Sequence, residues 1–257
     1  MKRKDIQPIY AETYRRRKRT RKVVFGIFLL ILVLGSIGYA WRWHQKQILE
    51  KYPIRGVSIN QNNGYIDFES LKNRGVRFVY IKATQGAAFT DDSFLSNFQR
   101  SQGSQLPVGV YHYFSFSSSP TAQFKNFVRQ VKFNTGSLPI CITIQYYGTY
   151  NEDSVHWQSA RKNMRSLVHK MRRYYQRPVV ISATRSILSR LEIQASAKRQ
   201  FWVTDGQLGR PNGDATFLQA TNKQDFRLDH QVVFLPMAVF NGNTKQWHQY
   251  LDEQVGS

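Results

Sequence analysis

The chain has 257 residues, of which 37 are Lys or Arg and 16 are Asp or Glu, a formal net charge of +21. That length allows one large domain or two small ones. The basic balance suits an anionic partner, a cell-wall polymer or else nucleic acid, and the single cysteine, Cys141, excludes a disulfide framework and a Cys-rich metal site.

Residues 1–22 hold ten Lys/Arg against Asp5 and Glu12, a basic tail of net +8, and the rest of the chain is still basic by 13 charges. Val23 to Trp41 is a run of nineteen residues without a charge. It is long enough to cross a bilayer core and has no polar face, so one transmembrane helix is expected over 23–41. The positive-inside rule places 1–22 in the cytoplasm and 42–257 outside. A basic run beside a membrane span needs no nucleic acid to explain it. A cleaved signal peptide is the alternative, with Gly38-Tyr39-Ala40 as a weak cleavage site, but the apolar run exceeds the usual length of such regions. Trp41 and Trp43 fit an interfacial belt. Residues 42–52 read as a short polar stalk.

From residue 53 to 257 short apolar runs alternate with amphipathic segments. Strands are predicted at Gly56–Asn60, Phe78–Ala83, Val108–Phe114, Ile140–Gln145, Val179–Ser182, Phe201–Thr204, Phe217–Ala220 and Val232–Leu235. Helices are predicted after Asp91-Asp92, from Ala122 to Phe133, and from Trp157 to Tyr175. Strands alternating with helices argue for the α/β class and βα units. Eight strands suit a (β/α) barrel of the TIM-like kind, whose later half need not be regular. Cys141 lies in an apolar run and packs as a small hydrophobe.

In such barrels ligands bind at the C-terminal strand ends. Those ends carry Ser58 and Asn60, Lys82 and Gln85, Tyr111 and His112, Gln145 and Tyr146, Ser182, Trp202 and Asp205, and Gln219. Any one of them is as well explained by contact with solvent. The whole set, rich in aromatics and amides, suits a sugar-like ligand, with Gln85, Tyr111, His112, Gln145, Trp202 and Gln219 as candidate contacts. His112 reads either as a cleft hydrogen-bonder or as a packed core histidine. The scattered histidines offer no metal site, and no cofactor is expected.

Several motifs in order resemble glycoside hydrolase family 25, the muramidase-type lysozymes. They are Gly56-Val57-Ser58-Ile59-Asn60, Ile66-Asp67-Phe68, Phe78-Val79-Tyr80-Ile81-Lys82-Ala83-Thr84 followed by Gln85-Gly86, then Asp92 with Phe94 and Asn97. Leu106 to Phe114 and Val239-Phe240-Asn241-Gly242 complete the pattern, which covers residues 53–243. The resemblance implies a barrel that acts on peptidoglycan. It also implies four carboxylates, and these fall on Ser58, Thr143, Gln145 and Pro236. Glycoside hydrolysis needs one acid to protonate the leaving oxygen and a second carboxylate as base or nucleophile. A Gln amide has no proton to give, and a Thr hydroxyl holds no negative charge. Asp67, Asp91-Asp92, Glu152-Asp153 and Asp205 are the carboxylates that could be relocated acids, Glu152-Asp153 foremost, although Asn151 or Asp153 reads better as the cap of the helix that follows. The expectation is a membrane-anchored external pseudoenzyme that binds peptidoglycan or another anionic wall polymer, or a wall protein. The alternatives are a divergent active muramidase and an interaction scaffold with a vestigial cleft.

Overall fold

A computed structural model describes residues 11–192, 201–213, 215–228 and 231–255. It divides after Glu50 into two units. The first holds helix α1 (Ala11–Glu50), which runs through the expected stalk as far as residue 50 instead of ending at 41. From Arg21 to Glu50 it is long and apolar enough to cross a membrane by length and composition. Its large side chains from Val23 to Leu34 are exposed.

The second unit begins at Lys51 and is built on one sheet. Its strands are β1 (Arg55–Ile59), β2 (Val76–Gln85), β3 (Phe89–Thr90), β4 (Val108–Tyr113), β5 (Ile140–Thr143), β6 (Val179–Ala183), β7 (Phe201–Val203), β8 (Ala215–Leu228) and β9 (Gln231–Phe240). The sheet order is β1-β9-β8-β7-β6-β5-β4-β2-β3, and pairing of β1 with β2 closes eight of these strands into a barrel. The strands from β1 round through β2 and β4 to β8 are parallel, while β9 is antiparallel to both neighbours. All eight expected strands are present. The irregular half comes from β8 and β9, which form one long hairpin without a helix between them.

Helices α2 (Phe68–Asn73), α3 (Phe94–Gln102), α4 (Pro120–Val131), α5 (Trp157–Tyr175), α6 (Arg185–Arg190) and α7 (Thr244–Val255) complete the unit. In α4, Ser119 caps the first turn through the Ala122 amide and Pro120 sits where no intrahelical donor is needed. In α5, Ala160, Met164, Leu167 and Met171 are buried at helical spacing against the sheet. The cap of α5 is His156, whose ring accepts from the Ser159 amide. Asn151 instead caps the preceding turn, accepting from the amides of Asp153 and Ser154. Neither Asn151 nor Asp153 is therefore the helix cap.

Period-two alternation sends two different layers to the two faces of the barrel wall. Val57, Val79, Val110, Ile142 and Ile181 pack outward in the main core with the helices. Phe78, Tyr80, Tyr111, Cys141, Trp202 and Phe217 point inward in a second cluster. Glycine makes room for these rings: a Cβ on Gly56 would collide with Phe78, and one on Gly109 with Tyr80. α7 seals the strand-start end by packing Trp247 against Phe78, with ring centroids 5.5 Å apart, and against Phe240 at 5.1 Å. The lower barrel is thus solid, and the C-terminal ends of the parallel strands, where such barrels hold their ligands, lie at the opposite end.

Candidate functional site

The inward positions above the aromatic floor are Ser58 on β1 with Asn60 just after it, Lys82 on β2, Tyr113 on β4, Thr143 on β5, Ser182 on β6 and Gln219 on β8. Tyr111 forms part of the floor, 6% exposed, and is hydrogen-bonded to the Asn60 side chain. Trp202 is 4% exposed and donates its ring N–H to Gln219 Oε1 at 3.2 Å. Gln219 in turn donates to the carbonyls of Thr221 and Met237, which fixes its amide. Trp202 and Tyr111 therefore support the site from below and have no open face on which a sugar could stack.

Lys82 crosses the mouth. Its ammonium donates to Gln85 Oε1 at 3.0 Å and lies over the rings of Phe89 and Tyr113 at 4.6 and 4.9 Å. Burial lowers its pKa, opposed by the nearby carboxylate of Asp91. Asp91 is buried, accepting from the Gln61 amide at 2.9 Å and the Ser93 amide at 3.1 Å. Loss of solvent raises its pKa against those two bonds and the pull of Lys82. Gln85 and Gln145 are exposed at the rim. Pro236 stands in β9 where the pairing with β8 is irregular, a place where a missing N–H breaks no ladder bond.

His112 requires a correction. It faces outward, fully buried between the sheet and α4, with Nδ1 2.7 Å from Thr84 Oγ1 and Nε2 3.0 Å from Gln123 Oε1. The alternation that turns Tyr111 and Tyr113 into the barrel turns His112 out, so it belongs to the core and leaves the ligand set. Burial lowers its pKa to about 4.

Two of the carboxylates considered as relocated acids are engaged elsewhere, while Asp153 is exposed in the loop after β5. Glu152 pairs with Arg190 at 2.8 Å. Asp205 accepts from the Arg185 amide at 2.9 Å and so secures the start of α6. Among the described residues no group of His, Cys, Asp or Glu is placed to hold a metal ion.

Two walls rise beside the mouth, on strands that lie opposite one another in the barrel order. One is the upper β8–β9 hairpin, carrying Phe234, which is 50% exposed and has Lys223 Nζ 4.6 Å from its ring centroid. The other follows β4 and β5. There Phe116 stacks on Tyr147 at 5.9 Å and 16° and packs against Tyr150 at 5.3 Å, while the Tyr147 hydroxyl ties to Ser115 Oγ and the Phe116 amide. Strand-end reasoning passed over this second wall, although three tyrosines within residues 146–150 were a visible signal.

The profile of Glycosyl hydrolases family 25 matches residues 57–226, well over half of the chain. The chain belongs to that family. A family 25 glycosyl hydrolase from Bacillus anthracis superposes with a TM-score of 0.70 at 27% identity, covering 78% of this chain and 94% of that one. The autolytic lysozyme of Clostridium acetobutylicum is 34% identical over 78 residues, 30% of this chain and 24% of that protein. The YegX protein of Escherichia coli K12 is 33% identical over 107 residues, 40% of this chain and 39% of that protein. The matches thus span two-fifths or less of these sequence relatives. The family-25 barrel is a lysozyme-like, peptidoglycan-hydrolase fold.

Proposed function

We propose that this chain is a membrane-anchored, external family-25 barrel that binds peptidoglycan glycan without hydrolysing it. One observation carries the reading. Above the aromatic floor the parallel strands end in Ser58, Thr143, Gln145 and Ser182, and three loop carboxylates near them, Glu152, Asp205 and Asp91, are tied to Arg190, to the start of α6 and to backbone amides. General acid–base assistance is worth about 10²–10⁴-fold per group, and among the described residues no second carboxylate is bonded to or paired with Asp91. The amides of Gln85 and Gln145 retain hydrogen-bonding capacity toward sugar hydroxyls. The rings of Phe116, Tyr147 and Phe234 supply apolar walls on either side. Anchoring through the apolar helix, with the barrel on the wall side, completes the proposal.

The rival reading is an active muramidase with relocated acids. Asp91 is its best group, since burial pushes its carboxyl toward the protonated form that a general acid requires. Its charged neighbours are Lys82 and Asp92, and both of its oxygens already accept backbone bonds.

Titration of the barrel with soluble muropeptide oligomers at low and high salt tests the binding claim. Stacking and neutral hydrogen bonds survive added salt, whereas attraction of a basic surface to an anionic polymer is screened over about 8–10 Å. Salt-resistant binding that is lost in the Gln85→Ala, Gln145→Ala double variant supports the cleft. Both side chains are exposed, so the variant leaves the core intact. Binding that vanishes with salt and ignores the variant would leave a charged scaffold.

A further inference from the structure

The parallel strands begin at the end of the barrel opposite the mouth, and the helices that return to them end there too. The chain enters the barrel at this end through residues 51–54, which follow the apolar helix directly in sequence. From residue 93 to residue 191 the sequence holds thirteen Lys/Arg and two acids, and both acids, Glu152 and Asp153, belong to the loop after β5 at the mouth end. The strand-start end of this flank is therefore cationic without an acid, with Lys132, Arg172 and Arg173 exposed on it. α7 brings Asp252 and Glu253 to the same end of the barrel, on the plug itself.

Cations at helix C-termini offset the helix dipole, and that accounts for Arg172 and Arg173. It does not account for two further features. Phe133, next to Lys132, is 85% exposed, an unusual state for so large an apolar ring. Beside it lies a cavity of about 560 Å³ walled by Ser101, Gln102, Phe133, Asn134, Ser137 and Arg177. Arg177 Nη1 is buried there with no hydrogen-bond partner among the described residues. A buried guanidinium N–H without an acceptor is costly, and a phosphate oxygen is a fitting acceptor for it.

We propose that this end of the barrel, on its α3–α5 side, docks onto the surface of an anionic lipid bilayer. Phe133 enters the headgroup boundary, Lys132, Arg172 and Arg173 meet the negative surface, and Arg177 takes a lipid phosphate in the cavity. Amphipathic surfaces bind membranes through this combination of a buried apolar group and basic neighbours. A soluble wall polyanion would satisfy the cations but gives no role to Phe133, which decides between the two. Docking in this way directs the mouth away from the bilayer. The inference stands independently of whether the mouth binds or cleaves glycan.

The test is sedimentation of residues 51–257 with vesicles of phosphatidylcholine, with and without phosphatidylglycerol. The barrel forms its own unit and matches 94% of the Bacillus anthracis chain, so it can be studied without the anchor. Binding is expected to require phosphatidylglycerol. Each cation neutralised near an anionic surface is expected to weaken binding about five-fold, so Lys132→Gln, Arg172→Gln and Arg173→Gln together should weaken it about 100-fold. Phe133→Ser should cost about ten-fold more, and Arg177→Gln should remove the preference for phosphatidylglycerol over a headgroup of equal charge without an accessible phosphate. All five side chains lie outside the barrel core, and an unchanged melting temperature confirms each variant is folded. Equal binding to neutral vesicles, no binding at all, or soluble polyphosphate binding that ignores Phe133→Ser would each overturn the proposal.

Discussion

His112 offers the sharpest physical prediction. The Gln123 amide donates to the carbonyls of Ser115 and Ser118, so its Oε1 is an acceptor, and it already accepts from the Ser115 amide. His112 Nε2 must then carry the proton, and Nδ1 must accept from the Thr84 hydroxyl. The neutral ring is fully satisfied, and protonation would place a charge in a dry interface and take away the acceptor that Thr84 uses. Hence the pKa falls from 6.5 to about 4, through burial first, with the Gln123 bond opposing it and Lys82 reinforcing it. The sign follows by linkage. Between these two values the unfolded chain binds a proton that the folded barrel refuses, so stability is complete above pH 6.5 and falls as the pH drops toward 4. At about 1.4 kcal/mol per unit the full loss amounts to about 3 kcal/mol. Asp91, whose pKa is raised, acts with the opposite sign near its own titration, so the window from pH 6.5 to 5 isolates the histidine best. Urea unfolding of the barrel across that window should show this slope in the wild type. His112→Gln should be less stable at pH 7 and nearly flat over the same range. A wild type without the slope, or a variant that keeps it, would refute the assignment of a neutral, buried ring.

Other outcomes follow from the packing. Gly109→Ala drives a methyl into the Tyr80 ring and should destabilise the barrel by about 1–3 kcal/mol in urea unfolding. Trp247→Ala opens the floor sealed by α7 and should cost about 3–5 kcal/mol, measurable in the same way. Glu152→Gln breaks a half-exposed pair with Arg190 and should change stability by less than about 1 kcal/mol, which thermal melting can bound. Protease added to intact protoplasts should digest the barrel and spare residues 1–22. A mature chain beginning near Trp41 would instead mark a cleaved leader.

Much of the barrel was legible because its strands are short, apolar and flanked by turn residues. The clearest miss is the upper hairpin. Thr221 to Leu228 is mostly polar and half-exposed, and its register breaks twice, so neither alternation nor apolar content announces a strand. α6 is six residues long, too short for a helical period to declare itself. The failure at His112 is a matter of parity: Tyr111 and His112 both sit near a strand end, but adjacent residues face opposite sides, and one of them had to leave the cleft. Trp202 was correctly placed on a strand, yet the depth at which its ring lies depends on Gly56, Gly109 and the floor aromatics together, which no local pattern reports. The proposed departures at Ser58, Thr143 and Gln145 rest on residue type at motif positions alone, so the sequence is enough to raise them and the fold adds no test of them.

The central claim is a family-25 barrel that holds glycan and leaves it intact. Release of reducing ends from purified peptidoglycan by residues 51–257 tests it most directly, run beside an active family-25 lysozyme as a positive control. The account predicts a rate no higher than that of buffer, in a preparation that binds muropeptides. Turnover well above buffer that disappears in Asp91→Asn or in Glu152→Gln would contradict it and return this chain to the hydrolases.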